Sequence, residues 1–162
     1  MLLVEDAETD YACVTLIVKI GNMYDTIPGI AHFLEHMLFN GTKKYPEEGE
    51  FMTYISQHGG YTNAYTDTTH TCYYYTIKND VLIDSLDRFS SFFEEPLLKE
   101  DCVDREKDAV NAEHLKNKNN DFWRTGEIIR KACISSHPLK NFGTGSSKTL
   151  NVPNIHLIVK DF

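Results

Sequence analysis

The stretch Gly29–Phe39 reads G-I-A-H-F-L-E-H-M-L-F and is the most informative part of the chain. In a helix that turns by about 100° per residue, its apolar side chains gather on one face: Ile30, Phe33, Leu34 and Met37. The opposite face carries two imidazoles, a carboxylate and an aromatic ring: His32, His36, Glu35 and Phe39. The sequence therefore predicts a helix with an ordinary core face and a second face that can do chemistry.

His32 and His36 lie one helical turn apart, a spacing that lets two imidazoles bind one cation at about 2.0–2.1 Å. Glu35 lies beside them, where a carboxylate could accept a proton from a metal-bound water. The alternative is a solvated polar face that happens to contain two histidines. The helical context favours the metal site. A catalytic zinc usually takes three protein ligands and keeps one position for water, so a third ligand is needed.

A second predicted helix, residues 99–117, offers that ligand. One narrow arc of this helix combines apolar and acidic side chains: Val103, Glu106, Val110 and Glu113. Buried carboxylates are costly unless they are paired or bind a metal, so one glutamate could be the third ligand and the other a supporting acid. The alternative is that both are solvated. Leu115 lies outside this arc, which counts against the rotation assumed for the helix.

The rest of the chain predicts an α+β fold. Tyr11–Ile20 alternates apolar and polar side chains as a strand does, and we expect it to form a hairpin with Leu2–Glu5. Tyr61–Thr66 and Thr71–Lys78 predict a second hairpin. Further helices are predicted over residues 47–57, 80–95 and 122–135, and another element begins at 155. Hairpins followed by helices favour a mainly antiparallel β-sheet with helices packed on one face.

Composition narrows the class of protein. The chain has 162 residues, 24 of them acidic against 16 Lys and Arg, for a net charge of −8. That length suggests one domain. No apolar run approaches the ~20 residues of a membrane span, and an acidic chain without a basic cluster argues against nucleic acid or anionic lipid as partner. Four scattered cysteines and the lack of a signal sequence favour a cytoplasmic, reducing location.

The motif H-F-L-E-H at residues 32–36, with Glu113 in N-A-E-H further along, resembles the inverted-motif zinc metallopeptidases of the insulysin/pitrilysin (M16) family. Residues 59–66 resemble the substrate-side strand of that family, and residues 142–145 resemble a loop of its insulysin branch. The likeness runs over residues 2–150, nearly the whole chain. It implies the M16/LuxS-like metallohydrolase fold and a zinc-dependent endopeptidase that cleaves oligopeptides and small polypeptides.

The resemblance also implies a role for each site residue. His32, His36 and Glu113 would be the ligands of one Zn²⁺ per chain. Glu35 would be the catalytic base. Glu106 would orient a ligand without touching the metal.

For the substrate, the resemblance implies contacts on two sides of the metal. Asn63 and Ala64 would lie on an edge strand that pairs with an extended peptide. Phe39 and Trp123 would line a pocket beside the zinc, although Trp123 could equally belong to the core. Gly126 stands where insulysin-like members often carry a second aromatic residue, which leaves the specificity of this pocket open.

The resemblance finally predicts that residues 1–162 are a single but incomplete N-terminal metallopeptidase domain. The remaining domains of the enzyme would complete a chamber around the peptide substrate, so we expect this chain to bind zinc and to hydrolyse peptides poorly. Its acidic balance suits basic or neutral peptides. The alternative is a non-catalytic structural or interaction subunit of the family. The complete set of His32, Glu35, His36 and Glu113 speaks against that alternative.

Overall fold

The computed structural model describes all of residues 1–162 and contains one antiparallel sheet of three strands. The strands are β1 (Tyr11–Val18), β2 (Tyr61–Thr66) and β3 (Thr71–Lys78). They lie in the order β1-β3-β2, so β3 is central and the outer edges of β1 and β2 are unpaired. In the register of the two ladders, Val14 faces Tyr75 and Ala64 faces Tyr73.

Six α-helices complete the fold, which is α+β as the sequence predicts. They are α1 (Ile30–Leu38), α2 (Glu50–Gln57), α3 (Leu82–Glu94), α4 (Val103–Asn117), α5 (Asp121–Ala132) and α6 (Ile155–Asp161). Short 3-10 turns lead directly into α3 and α4. None of these helices has both the length and the apolar character that a membrane crossing requires.

The two faces of the sheet have different surroundings. Helices α1, α2 and α3 contact the sheet, and the side chains of Tyr73, Tyr75 and Ile77 are buried beneath them. On the other face, Ile17 and Tyr61 are exposed. The strand alternation predicted from the sequence therefore sorts the side chains onto a covered and an open face, with helices on one side only.

An aromatic cluster holds α2 and α3 against the sheet. Phe51 of α2 packs edge-to-face on Tyr75 of β3, with ring centroids 5.4 Å apart. Phe92 of α3 meets Phe51 at 5.0 Å, and Phe89 meets Tyr75 at 5.1 Å. Edge-to-face contacts between buried rings stabilise a core beyond the area they remove from water.

The predicted strand Leu2–Glu5 is wrong. Residues 1–10 form no strand, and Leu2, Leu3 and Val4 are 86%, 80% and 83% exposed. Three consecutive apolar residues do not alternate, so this segment has no single face to bury. β1 pairs instead with β3 along its whole length, from Tyr11 opposite Lys78 to Val18 opposite Thr71.

Candidate metal centre

Helix α1 is held in one rotational setting by contacts at its N-terminal end and by its apolar face. Before its start, the Asp25 carboxylate accepts hydrogen bonds from the backbone N–H groups of Gly29 at 2.7 Å and Ala31 at 3.1 Å. Its core-facing side chains are fully buried: Ile30, Phe33 and Met37. Because this face is fixed in the core, the histidine face turns toward α4 and β2.

Two imidazoles and a carboxylate converge between α1 and α4. Glu113 places one carboxylate oxygen 3.3 Å from His32 Nε2 and the other 3.6 Å from His36 Nε2. One ligand atom from each of the three residues lies within 4.8 Å of the others. The imidazoles are largely covered, whereas the Glu113 side chain is 49% exposed. Two nitrogens and one oxygen around a point that solvent can reach are the donor set of a catalytic zinc site.

The outer nitrogens of the two imidazoles are also held. His32 Nδ1 donates to the carbonyl oxygen of Thr144 at 2.7 Å, and His36 Nδ1 lies 3.3 Å from Glu106 Oε2. Metal-binding histidines normally make this second contact, which fixes the ring and leaves Nε2 for the metal. The residues present therefore fit a zinc ion.

The charges of the cluster match this arrangement. The hydrogen bond from His32 holds the pKa of Glu113 below its usual range, so the carboxylate is ionised at neutral pH. Burial lowers the pKa of His32, but the contacts with Glu113 and Thr144 outweigh it and raise the pKa overall. An ionised carboxylate beside two imidazoles attracts a cation.

Glu106 lies where the sequence places a supporting acid. Its contact with His36 holds its pKa below the usual range. Arg105 fixes the other carboxylate oxygen at 3.3 Å, and the same nitrogen donates to Asn40 Oδ1 at 3.0 Å and contacts Glu48 Oε1 at 2.6 Å. A short network of ion pairs therefore stands behind His36.

Glu35 points from α1 toward β2. It is only 7% exposed, and Thr66 donates a hydrogen bond to its Oε2 at 2.6 Å. Burial raises the pKa of the carboxyl group, and the hydrogen bond from Thr66 opposes that rise. A buried, oriented carboxyl group whose pKa is above its ordinary value is suited to exchange protons with a reacting group.

One cleft of about 1130 Å³ joins these groups to the expected substrate contacts. Every side chain that the sequence singles out lines it: His32, Glu35, His36, Phe39, Asn63, Ala64, Glu106, Glu113 and Trp123. Asn63 and Ala64 lie on β2, whose outer edge is free. Trp123 is 43% exposed, so it lies in the wall of the cleft and the alternative that it belongs to the core is wrong.

Sequence reasoning missed Thr66 and Thr144, which hold Glu35 and His32 in place. The signal for Thr144 is its flanking glycine. Gly145 meets Gly29, the residue before α1, so closely that a Cβ on Gly29 would lie 2.2 Å from Gly145 Cα. Only glycine allows this approach. A single sequence does not reveal that these two glycines are neighbours.

Comparisons with known proteins identify the family of the chain. The family model described as "Insulinase (Peptidase family M16)" matches residues 1–141. Insulin-degrading enzyme of Mus musculus is 46% identical over 157 residues, covering 95% of this chain and 15% of that protein. The A-factor-processing enzyme of Saccharomyces cerevisiae is 43% identical over 151 residues, covering 92% of this chain and 15% of that protein.

Two further matches concern zinc and the fold. A Caenorhabditis elegans protein whose name includes the words "zinc protease" is 44% identical over 152 residues, covering 93% of this chain and 18% of that protein. The crystal structure of pitrilysin matches with a TM-score of 0.93 and 33% identity, over 97% of this chain and 17% of that one. The chain thus spans less than a fifth of the length of these relatives. On the extent of the match, the chain belongs to the insulinase (M16) family of peptidases.

Proposed function

We propose that residues 1–162 form a single zinc-dependent metalloendopeptidase domain that hydrolyses peptide bonds in oligopeptides and small polypeptides. The observation that carries this proposal is the convergence of His32, His36 and Glu113 while Thr144 and Glu106 hold the outer nitrogens of both imidazoles. The names of the insulin-degrading and A-factor-processing relatives support a peptide as the substrate.

His32, His36 and Glu113 would hold one Zn²⁺ per chain. A zinc ion in such a site acts as a Lewis acid on the scissile carbonyl and makes water a better nucleophile at neutral pH. Glu106 keeps His36 in its ligating orientation through Nδ1.

Glu35 would be the general base. Its carboxylate takes a proton from the attacking water and delivers it to the leaving amine, which returns the residue to its starting state. The hydrogen bond from Thr66 occupies Oε2 and fixes the carboxylate plane, and Oε1 remains for the proton. The burial of Glu35 lets the group hold a proton more readily than an exposed carboxylate does.

The peptide would bind along the free edge of β2. This edge offers backbone N–H and C=O groups around Asn63 and Ala64, and an extended peptide can pair with them whatever its sequence. Phe39 and Trp123 supply apolar surface in the same cleft. Backbone pairing would thus place the peptide beside the metal, and the aromatic rings would favour apolar side chains.

The site is open to solvent on the side of Glu113, whose side chain is half exposed. A protease site that does not exclude water stabilises its transition state poorly. We therefore propose that other domains of a longer enzyme close the cleft, and that this chain alone hydrolyses peptides slowly. The small share of its relatives' length that the chain spans is consistent with such a division.

The Glu35→Gln variant tests the proposal. With fluorogenic peptides, the parent chain should show slow cleavage that a chelator stops and zinc restores. Glu35→Gln should bind zinc as the parent does and show no cleavage, whereas the control Glu94→Gln, at an exposed position of α3, should match the parent in both respects. Cleavage by Glu35→Gln near the parental rate would show that Glu35 is not the general base. Zinc binding by a parent with no detectable cleavage would favour the non-catalytic alternative.

A further inference from the structure

Arg130 of α5 is the only lysine or arginine that lines the cleft. The other ionisable groups of its wall, besides two histidines and Tyr65, are carboxylates: Glu35, Glu48, Asp67, Glu106, Glu113 and Asp121. A lone guanidinium in an acidic cleft creates one point where negative charge is attracted rather than repelled.

The hydrogen-bonding capacity of Arg130 is largely unused. Its Nε is buried and has no hydrogen-bond partner. The nearest carboxylate oxygen, from Glu127, lies 3.8 Å from Nη1, beyond hydrogen-bond distance. The side chain is only 22% exposed, so water does not fully replace the missing partners. A carboxylate is the group that satisfies a guanidinium best, because it can accept two parallel hydrogen bonds.

Gly126 leaves a gap through which a ligand can reach this guanidinium. A Cβ added at Gly126 would meet a single neighbouring atom within 4 Å, Arg130 Nη1 at 3.9 Å. Trp123, Gly126 and Arg130 follow one another at helical spacing on one side of α5, and all three line the cleft. The missing side chain thus opens the wall between the indole and the guanidinium.

The residues behind Arg130 are also mostly positively charged. An adjoining cavity of about 520 Å³ is lined by Lys118, Arg124 and Lys131 as well as Arg130, and Glu127 is its only carboxylate. The basic lining of this cavity contrasts with the net charge of −8 of the whole chain. Arg130 lies in the walls of both cavities, so the basic group of residues adds to the positive potential at the Gly126 gap.

We propose that Gly126 and Arg130 form a subsite that binds a carboxylate of the peptide substrate. The inference rests on the proposed function, because it takes the cleft as the place where a peptide lies. An acidic side chain would pass the Gly126 gap and pair with the guanidinium of Arg130. The cleft would then select peptides that carry one acidic residue at this position, although its other charges favour basic or neutral ones.

Peptide binding to the zinc-free and zinc-loaded chain tests this subsite. The probes are acetylated, amidated fluorescent peptides in which a single Glu moves through the sequence, each with a Gln twin. In fluorescence anisotropy, one Glu position should bind about tenfold more tightly than its twin, as a charge-assisted hydrogen bond predicts. Arg130→Gln and Gly126→Leu should both abolish the difference, the first by removing the charge and the second by filling the gap.

Lys131→Gln is the matched control, because Lys131 is the neighbouring basic residue, is exposed and lines only the adjoining cavity. This variant should keep most of the difference, because it removes a neighbouring charge and leaves the guanidinium of Arg130 in place. In NMR spectra, the Nε–Hε cross-peak of Arg130 is identified by its absence in Arg130→Lys. This cross-peak should shift when the preferred Glu peptide is added and stay in place when its Gln twin is added. A Gln peptide with a free C-terminus that binds as tightly would identify the terminal carboxylate as the group bound.

Any one of three results would overturn the subsite. These are equal affinities for every Glu and Gln pair, a difference that survives Arg130→Gln, and an Arg130 cross-peak that no peptide moves. Zinc content is measured separately on the same preparations. A chain that binds zinc but does not distinguish the peptides would therefore refute the subsite and leave the proposed function standing, and the reverse result would refute the metal site alone.

Discussion

The Nδ1–H group of His32 donates to the carbonyl oxygen of Thr144, 2.7 Å away and 112 residues later in the chain. A carbonyl oxygen only accepts hydrogen bonds, so this contact keeps a proton on Nδ1, and Nε2, which faces Glu113, is the nitrogen that a metal would use. The loop that carries Thr144 thus selects the imidazole tautomer that can bind a metal.

Gly145→Ala should weaken both the fold and zinc binding. Gly145 has φ +80°, and a Cβ there would lie 3.2 Å from Gly29 Cα, so the loop must shift and carry the Thr144 carbonyl with it. The left-handed conformation alone costs about 1–3 kcal/mol for a non-glycine residue. Urea denaturation measures this loss, and zinc titration against a chromophoric chelator measures the second effect.

The control for Gly145 is Gly49→Ala. Gly49 has φ +67° but no atom within 4 Å of an added Cβ, so the variant should lose only the stability that the left-handed backbone costs and keep the zinc affinity of the parent. Equal zinc affinities in the two variants would show that the Thr144 contact does not matter for the metal.

Glu106→Gln should reduce zinc affinity by about 10–100-fold, the usual effect of removing the acid behind a metal-binding histidine. The amide cannot hold His36 Nδ1 through a charged hydrogen bond, and Arg105 loses an ion-pair partner. Competition with a chelator gives the dissociation constant. Asp104→Asn, at a fully exposed position of the same helix, should bind zinc as the parent does. If Glu106→Gln bound zinc as tightly as Asp104→Asn, the supporting role of Glu106 would be refuted.

Asp25→Asn should change how stability depends on pH. Burial raises the pKa of Asp25 from 3.8 to about 6, so between these values the folded chain binds a proton that the unfolded chain has lost. This contribution to stability is complete below pH 3.8 and is lost as pH rises through about 6. The parent's free energy of unfolding, minus that of the variant, should therefore fall over this interval and stay level above pH 7, measured with urea in the presence of a chelator. A difference that is flat or rises with pH contradicts the assignment.

Phe51→Ala should destabilise the fold by about 3–5 kcal/mol, because it empties a fully packed site among three other aromatic rings. Met52→Ala, one residue along the same helix at a half-exposed position, should cost far less. The two denaturation midpoints test whether the Phe51 cluster is the centre of the core. Similar midpoints would argue that it is not.

Local patterns in the sequence predict the elements well. The bounds of β2 and β3 follow from β-rich residues on both sides of a polar turn, and the apolar stripe of α1 gives its rotation correctly. The partner of β1 could not be predicted in this way. A strand pairs through backbone groups that every residue has, so the choice between the nearby Leu2–Glu5 and the distant β3 depends on packing that only the folded chain reveals.

The same distinction applies to the site. Two glutamates within an apolar arc predict that α4 contributes to the site, and the structure brings Glu106 and Glu113 to the two imidazoles. Thr66 acts through a hydroxyl that leaves no pattern in a single sequence. The only trace of the Thr144 carbonyl is the glycine beside it, and the sequence does not reveal that this glycine meets Gly29. The residues that hold the chemical groups in place are therefore harder to predict than the groups themselves.

Zinc content after equilibrium dialysis is the most direct test of the central claim. The parent chain should retain about one zinc per chain, and His36→Ala should retain almost none, since two ligands bind zinc far more weakly than three. His58→Ala is the matched control, because His58 bonds to the Tyr54 carbonyl and lies outside the cluster; this variant should match the parent. Zinc retention by His36→Ala equal to that of the parent would contradict the metal centre.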